Sequence, residues 1–477
     1  MPIQTRISMV ASHSEPGSFR DRTSRVFYQD GAVFRGLDAH AAQEWGILKT
    51  KPFFRQCMVE GKIVHTEQLE PLSSSPDAGR EDEQWIAILK HQTIPFISYP
   101  YEWPFSMLQA AALLTLELQA AALRADMTLK DATPFNVQWS GSQPVFIDIP
   151  SFERLRPGEP WVGYRQFCQL FLYPLLLQAY KDIPFQPWLR GNLEGIEPAQ
   201  CAHLLSFRDR FRPGVLSHVV LQAKAQAAYA QTARNLKQDL RQAGFHKALI
   251  QANVGRLQKQ IAQLTWQPAR STWSDYTEAL PYTAREQQQK AAFVQRITHS
   301  QRWPLVWDLG CNTGTFARIA AENADYVLAM DLDALVVERL YGALKQEHSP
   351  NILPLISNVA DPAPNLGWRG RERKALVERG RPDLTLCLAL LHHVVIGAHI
   401  PLREFITWLA SLGTALVIEF VTRDDPMVQS LLRHKADHYT DYDLEYFERC
   451  LAEAFAIARH ETLESGTRRL YYGQPRT

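Results

Sequence analysis

The residues with the clearest chemistry lie in LVWDLGCNTGTFARIAA, residues 305–321. An apolar run ends in Asp308, passes through Gly310, Asn312 and Gly314, and enters a stretch with helical spacing. Small residues let a backbone approach a ligand closely, and a helix N-terminus presents free N–H groups. A phosphate-binding loop would end in Lys-Ser/Thr, which is missing here. A dinucleotide fingerprint would put glycine at 308, 310 and 313, where Asp308 and Thr313 hold the outer places. An acid at the strand end suits a ligand with a positive amino group. Seventeen residues past Gly314, the run YVLAM stops at Asp331, followed by Leu332 and Asp333. A carboxylate there can accept both hydroxyls of a ribose. A ligand with an amino acid at one end and a nucleoside at the other is S-adenosylmethionine.

On these residues, DLGCNTG followed by LAMDLD resembles the class I S-adenosylmethionine-dependent methyltransferases, whose first loop reads D/E-x-G-x-G-x-G. Asn312 replaces the middle glycine, and Asn tolerates unusual backbone angles. The resemblance implies that Asp308, Gly310, Cys311, Asn312 and Gly314 line the methionine part of the donor, with Asp331 and Leu332 at the ribose. Asn358, in ILPLISNVADP (352–362), falls where the family has an acid or amide near the adenine N6. DLTLCLALLHHVVIG (383–397) reads as the fourth strand and leads to His392 and His393. Either is a candidate general base for an O- or N-nucleophile; a pair that only packs or positions is the alternative. Glu419, at the tip of ALVIEFV (415–421), is a second polar candidate, with an exposed carboxylate that holds nothing as its plain alternative. Adjacent histidines rarely point at one metal ion, which disfavours a metal at 392–393. Trp273, Tyr276, Tyr282 and Lys290, ahead of the first strand, either close over the donor or pack.

A second constellation stands in MTLKDATPFNVQWSGSQPVFIDIPSFE, residues 127–153. Asp131, Pro134 and Asn136 keep the spacing D-x-x-P-x-N, and Asp148 ends an apolar run twelve residues after Asn136. Phosphoryl transfer needs such a set: one Asp to orient a hydroxyl, then an Asn and an Asp to hold magnesium on the phosphates. The stretch is similar to the catalytic loop and metal-binding strand of protein kinases and aminoglycoside phosphotransferases, which implies ATP and magnesium held at Asn136 and Asp148. It departs from that pattern at Leu129–Lys130, where His or Arg is usual, and at Ile149–Pro150, where glycine is usual. There is no glycine-rich phosphate loop. The β3 lysine is not identifiable; Arg35 sits in a plausible strand, with Glu44 on the next helix as its expected partner.

The elements that must position these residues can be read coarsely. The chain has 477 residues, 46% hydrophobic and 21% charged, enough for two or three cores. Residues 1–24 are polar and read as a mobile terminus. GAVFRGL (31–37) alternates like a strand, and 39–49 has helical spacing. VEGKIVHTE (59–67) reads as a hairpin turning at Glu60–Gly61, and 85–103 as two more strands. Residues 104–123 are Ala-rich and helical, interrupted by Gln and Glu, so a buried helix rather than a membrane span is expected. From 160 to 265 the pattern is mainly helical. Between Cys201 and Arg270 eleven basic residues face only Asp209 and Asp239, a local charge of about +9 in a chain whose net charge is +1. Beyond Leu305, strands and helices alternate, the mark of a parallel α/β sheet. None of the six cysteines forms a CxxC pair, and MPIQTRISMV has no apolar stretch for a signal peptide, so a reduced, cytoplasmic protein is expected.

The fold expected is therefore α/β. It comprises a mobile N-terminus (1–24), an α+β kinase-like domain (25–200), a basic helical connector and linker (201–289), and a C-terminal Rossmann-like class I methyltransferase sheet (290–477). The order of parts resembles a bacterial family of two-part methyltransferases that includes host-specificity nodulation proteins of the rhizobial type. YPYEWPFSMLQAAALLTLELQ, MTLKDATPFNVQW, FIDIPSFE, DLGCNTGTFA and LALLHHVVIG carry that resemblance over nearly the whole chain. It implies methyl transfer from S-adenosylmethionine to a small-molecule, saccharide or peptide acceptor. Three alternatives remain: a bifunctional ATP-dependent kinase and methyltransferase, an RNA methyltransferase docking through the basic connector, and transfer of another part of the same donor, such as its aminocarboxypropyl group. Sparse aromatics there disfavour base stacking, so nucleic acid is the less favoured partner. No membrane is expected, and the sequence leaves the oligomeric state open.

Overall fold

A computed structural model describes residues 13–69, 85–230, 246–268, 283–433 and 439–476. The first sheet is antiparallel, built from β1 (His13–Ser14), β2 (Ser24–Gln29), β3 (Ala32–Leu37), β4 (Thr66–Gln68) and β5 (Ala87–His91) in the order β1-β2-β3-β5-β4. The β2–β3 hairpin turns through Asp30 and Gly31, both at positive φ (51° and 75°), the backbone a tight hairpin requires. Two expectations fail here. Residues 59–61 do not turn a hairpin; they close the helix Pro52–Val59, which starts on a proline and buries Phe54 and Cys57. Only one strand forms in 85–103, because Pro95 and Pro100 break the second apolar run, which ends in a single helical turn at Pro100–Glu102. Residues 13–24 are also ordered, with His13 and Ser14 paired to Tyr28 and Phe27.

The helix Phe105–Arg124 is the spine of this half. It is long and apolar enough to cross a membrane by composition, yet two thirds of its most apolar window is buried inside the protein. On its flank pair β6 (Met127–Leu129) with β9 (Phe152–Arg154), and β7 (Val137–Ser140) with β8 (Gln143–Phe146). The helix Lys247–Gln263 buries Ile250, Val254, Leu257 and Ile261, and Gln109 Nε2 on the spine donates to the Ile261 and Leu264 carbonyls. This part of the basic stretch is thus built into the first half.

The second sheet contains β10 (Trp303–Leu309), β11 (Ala324–Asp331), β12 (Ile352–Ile356), β13 (Leu384–Cys387), β14 (Ala415–Val421), β15 (Phe455–Thr462) and β16 (Arg468–Pro475). Its order is β12-β11-β10-β13-β14-β16-β15. The first five strands run parallel, and β16 enters antiparallel beside β14. Their near-continuous Val/Leu/Ile runs fit a sheet covered on both faces. The order reverses between β10 and β13, and ligands of open parallel sheets bind at the carboxyl ends of the strands at such a point.

The halves share one apolar core. Trp139 of β7 meets Tyr341 edge-on at 5.7 Å, and Arg379, buried against the rings of Phe96 and Tyr99, pairs with Glu102. The Tyr99 hydroxyl accepts from the Lys374 N–H at 2.8 Å. A charged pair so deeply buried fixes register between surfaces even where its net stabilisation is small.

Candidate functional site

The loop after β10 turns back on the sheet at three left-handed residues, Gly310 (φ 73°), Asn312 (φ 46°) and Gly314 (φ 77°). Gly310 and Cys311 donate their N–H groups to the Met330 carbonyl, and Gly314 donates to Cys311. A Cβ on Gly314 would lie 2.6 Å from Leu340 Cδ1, so glycine there is set by helix packing as well as by φ. Asp331, at the end of β11, holds the two loops together. Its Oδ2 accepts from the Asn312 N–H at 3.0 Å and its Oδ1 from the Asp333 N–H at 2.9 Å. Asp333 in turn caps the helix Ala334–Gln346.

These loops frame a pocket of about 500 Å³, a size suited to a cofactor or small substrate. Gly310, Cys311, Asn312, Asp331, Leu332 and Asn358 line it, together with His393 and Lys290. The sequence alone did not point to Gln287, Phe316, Ala360 or Leu388–Leu390, which also line it. Ala389, at φ 52°, marks where the chain turns at the pocket edge, and a π-helical turn follows at His393–Gly397. Such single turns are frequent at functional sites, but no residue type announces them in advance.

Asp308, Gly314, His392 and Glu419 are not part of the wall. Asp308 is buried beneath it with Oδ2 lacking any hydrogen-bond donor. Burial raises its pKa to about 7, while nearby Lys290 draws it down. Burial also raises Asp331, against the N–H groups it accepts. Glu419 is fully buried, which corrects the exposed-carboxylate reading: it pairs with Lys290 Nζ at 2.6 Å and lies 3.5 Å from Arg468, itself bound to Asp425. Its acid is therefore committed to holding Lys290, whose ammonium sits over the Phe316 ring in the pocket wall. Burial lowers the Lys290 pKa, and the Glu419 charge restores part of it.

The two histidines separate clearly. His392 is fully buried, neither ring nitrogen has a hydrogen-bond partner, and burial drives its pKa well down, so it is a neutral core ring. A general base must reach the proton it removes, and His392 has no such access. His393 lines the pocket, and burial lowers its pKa to about 4, leaving it neutral near pH 7. Trp273, Tyr276 and Tyr282 lie outside the described residues.

Asp131, Asn136 and Asp148 are also brought together. Asp131 rises to about 6 through burial and the Asp148 charge, and Asn136 Nδ2 donates to Ser151 Oγ, which donates to Asp148 Oδ2. The other Asp148 oxygen lies 3.1 Å from Arg35 Nη1. The expected Arg35–Glu44 pair is replaced by this one, and Glu44 takes a two-point grip on Arg154 instead. A guanidinium and a hydroxyl thus hold the carboxylate expected to bind magnesium. Among the described residues no group of three or more His, Cys, Asp or Glu side chains could hold a metal ion.

No family model matches the chain. It is 34% identical over 469 residues to the nodulation protein NoeA of Rhizobium meliloti (strain 1021), covering 97% of each chain. Among solved structures, the N-methyltransferase NodS of Bradyrhizobium japonicum WM9 with S-adenosyl-L-homocysteine is 12% identical. That match covers 43% of this chain and 100% of that one, at a TM-score of 0.32. The magnesium protoporphyrin IX methyltransferase of Synechocystis PCC 6803 with bound S-adenosylmethionine is 16% identical, covering 44% and 88%, at 0.28.

Proposed function

The chain belongs to the family of the nodulation protein NoeA, and on the geometry of its pocket we propose that it transfers a methyl group from S-adenosylmethionine. The observation that carries this reading is the pair of acids at adjacent strand ends, Asp308 and Asp331, joined through one glycine-rich loop around a 500 Å³ pocket. Asp331, already aligned by two N–H donors, fits a pair of ribose hydroxyls, and Asp308, buried beneath the loop with Oδ2 unpartnered, places negative charge under the end that would take the ammonium group. Leu332 and Asn358 flank the nucleoside end; Lys290 and Phe316 flank the other. When bound, the donor supplies an electrophilic methyl on a sulfonium. The protein supplies proximity by fixing both ends of the donor, and exclusion of water.

His393 is the base in this reading and His392 is not. A ring held near pKa 4 is a weak base. Because it stays neutral near pH 7, it is free to accept a proton as the nucleophile attacks. The acceptor belongs to the small-molecule, saccharide or peptide class. The test is transfer of labelled methyl from S-adenosylmethionine into an extract of the source cells, with products split by nuclease, protease and size. Label in a small or saccharide fraction supports the proposal, and nuclease-sensitive label moves the acceptor to RNA. Absence of label in every fraction, with the donor bound, refutes methyl transfer.

A further inference from the structure

A second and larger cavity, of about 950 Å³, opens between the first sheet and the segment that follows β12 in the second half. One wall is Val26, Tyr28, Val33 and Arg35 of the first sheet; the floor is Phe96, Ile97, Tyr99 and Phe135. The opposite wall is residues 372–374 with Glu378 and Arg379, contributed by the half that carries the glycine-rich loop. The cavity is therefore complete only because the two halves are packed together.

Its lysine and arginine cations are tied off with one exception, while Asp30, Glu194 and Glu378 also line it without an ion pair among the described residues. Arg379 pairs with Glu102, Lys374 with Glu15, Arg20 with Glu372, and Arg35 with Asp148. Arg373 has no ion pair and no side-chain hydrogen bond among the described residues. It is 6% exposed, its Nε and Nη1 are buried without partners, and its guanidinium rests 5.6 Å from the centre of the Phe135 ring. The Arg35 side chain, 9% exposed on the facing wall, also has an unpartnered Nε. A guanidinium keeps its charge at any pH the protein meets, so it cannot escape burial by losing a proton. An unpaired cation in such a place costs folding energy that a bound anion would repay. The nearest acid in sequence, Glu372, spends Oε1 on Arg20, and its Oε2 is buried without a hydrogen bond to Arg373 or any other group among the described residues.

We propose that this cavity binds an organic anion, a phosphate ester or carboxylate with an aromatic or apolar body. Its charged group lies on Arg373 and its body against Tyr28, Phe96, Tyr99 and Phe135. Planar guanidinium recognises planar and tetrahedral oxyanions in two-point fashion, and the aromatic floor accepts the rest. The site needs neither a metal nor the donor pocket, so it stands apart from the methyltransferase reading.

The test uses the full chain, 8-anilinonaphthalene-1-sulfonate as the aromatic anion, and pyrophosphate as its competitor. Saturable 1:1 dye binding that pyrophosphate reverses is expected. Arg373→Met should weaken dye binding at least tenfold, abolish the competition, and melt at or above the wild-type temperature, because it removes a buried unpaired charge. Arg373→Lys, which keeps the charge but loses the fork, should fall between. A lower melting temperature for Arg373→Met, with dye binding intact, would show that the arginine is only structural and overturn the proposal. So would dye binding that pyrophosphate leaves untouched. S-adenosylhomocysteine affinity, measured on the same variants, should not change; this separates failure here from failure of the methyltransferase reading.

Discussion

Removing the Asp331 carboxylate should cripple donor binding by an amount the structure lets one work out. Each carboxylate oxygen already accepts one backbone N–H, from Asn312 at 3.0 Å and Asp333 at 2.9 Å, which aims the remaining lone pairs at the pocket. Two ribose hydroxyls donating to those lone pairs are hydrogen bonds to a charged group, worth roughly 1.5–3 kcal/mol each. Losing both costs about 3–6 kcal/mol, and about 1.4 kcal/mol is tenfold, so Asp331→Ala should weaken S-adenosylhomocysteine by roughly 10²–10⁴-fold. Asp331→Asn keeps one acceptor oxygen and should lose about half of that free energy. The Ala variant also orphans two N–H groups and frees Asn312 from its left-handed turn, so a thermal melt must accompany the calorimetry. A folded Asp331→Ala protein whose affinity stays within about threefold of wild type would refute the ribose assignment, since a lost charged acceptor cannot cost so little.

Burial holds Asp308, beneath the ligand-free pocket, near 7, and an ammonium bound above it would favour the ionised form, so donor affinity should rise between about pH 6 and 8, with proton release. Its folded pKa lies above its unfolded one, so between about pH 4 and 7 the native state binds more protons and stability falls as pH rises through that window. Asp308→Asn should abolish the affinity slope in calorimetry and reduce the stability slope in pH-dependent melts, to which Asp131, raised to about 6, also contributes; slopes unchanged in the variant would assign them to other groups. His393→Ala should lower turnover by roughly 10²–10⁴-fold, the range for a lost general base, while His392→Leu leaves it within about threefold; the reverse pattern would exchange their roles. Turnover should also hold constant from pH 8 to 6, because His393 stays neutral there. Arg379→Ala strands Glu102 in the shared core and should cost about 3–5 kcal/mol in urea unfolding; a loss below about 1 kcal/mol would show that the halves do not depend on this pair.

Much of the second half was legible because its signals are local. Apolar runs ending in Asp308 and Asp331 became strand ends, and the tolerance of Asn for unusual φ is seen at Asn312. What was not legible depends on distant partners. Glu419 reads as an exposed tip until Lys290 and Arg468 arrive from elements 129 and 49 residues away. The identical side chains of His392 and His393 part company because a helical turn places one inside the core and the other on the pocket. Spacing alone could not show Arg35 reaching Asp148 from a strand more than a hundred residues earlier. The failed hairpin at 59–61 had a local cause: Pro52 at the first helical position starts a helix that β-branched residues further on disguised.

The most direct test of the central claim is a crystal structure of the full chain with S-adenosylhomocysteine. The account predicts the nucleoside between Leu332 and Asn358, both ribose hydroxyls on Asp331, the amino group over the loop that covers Asp308, and the sulfur facing the wall that carries His393. A ligand absent from this pocket at saturating concentration, or bound with its ribose away from Asp331, would contradict it.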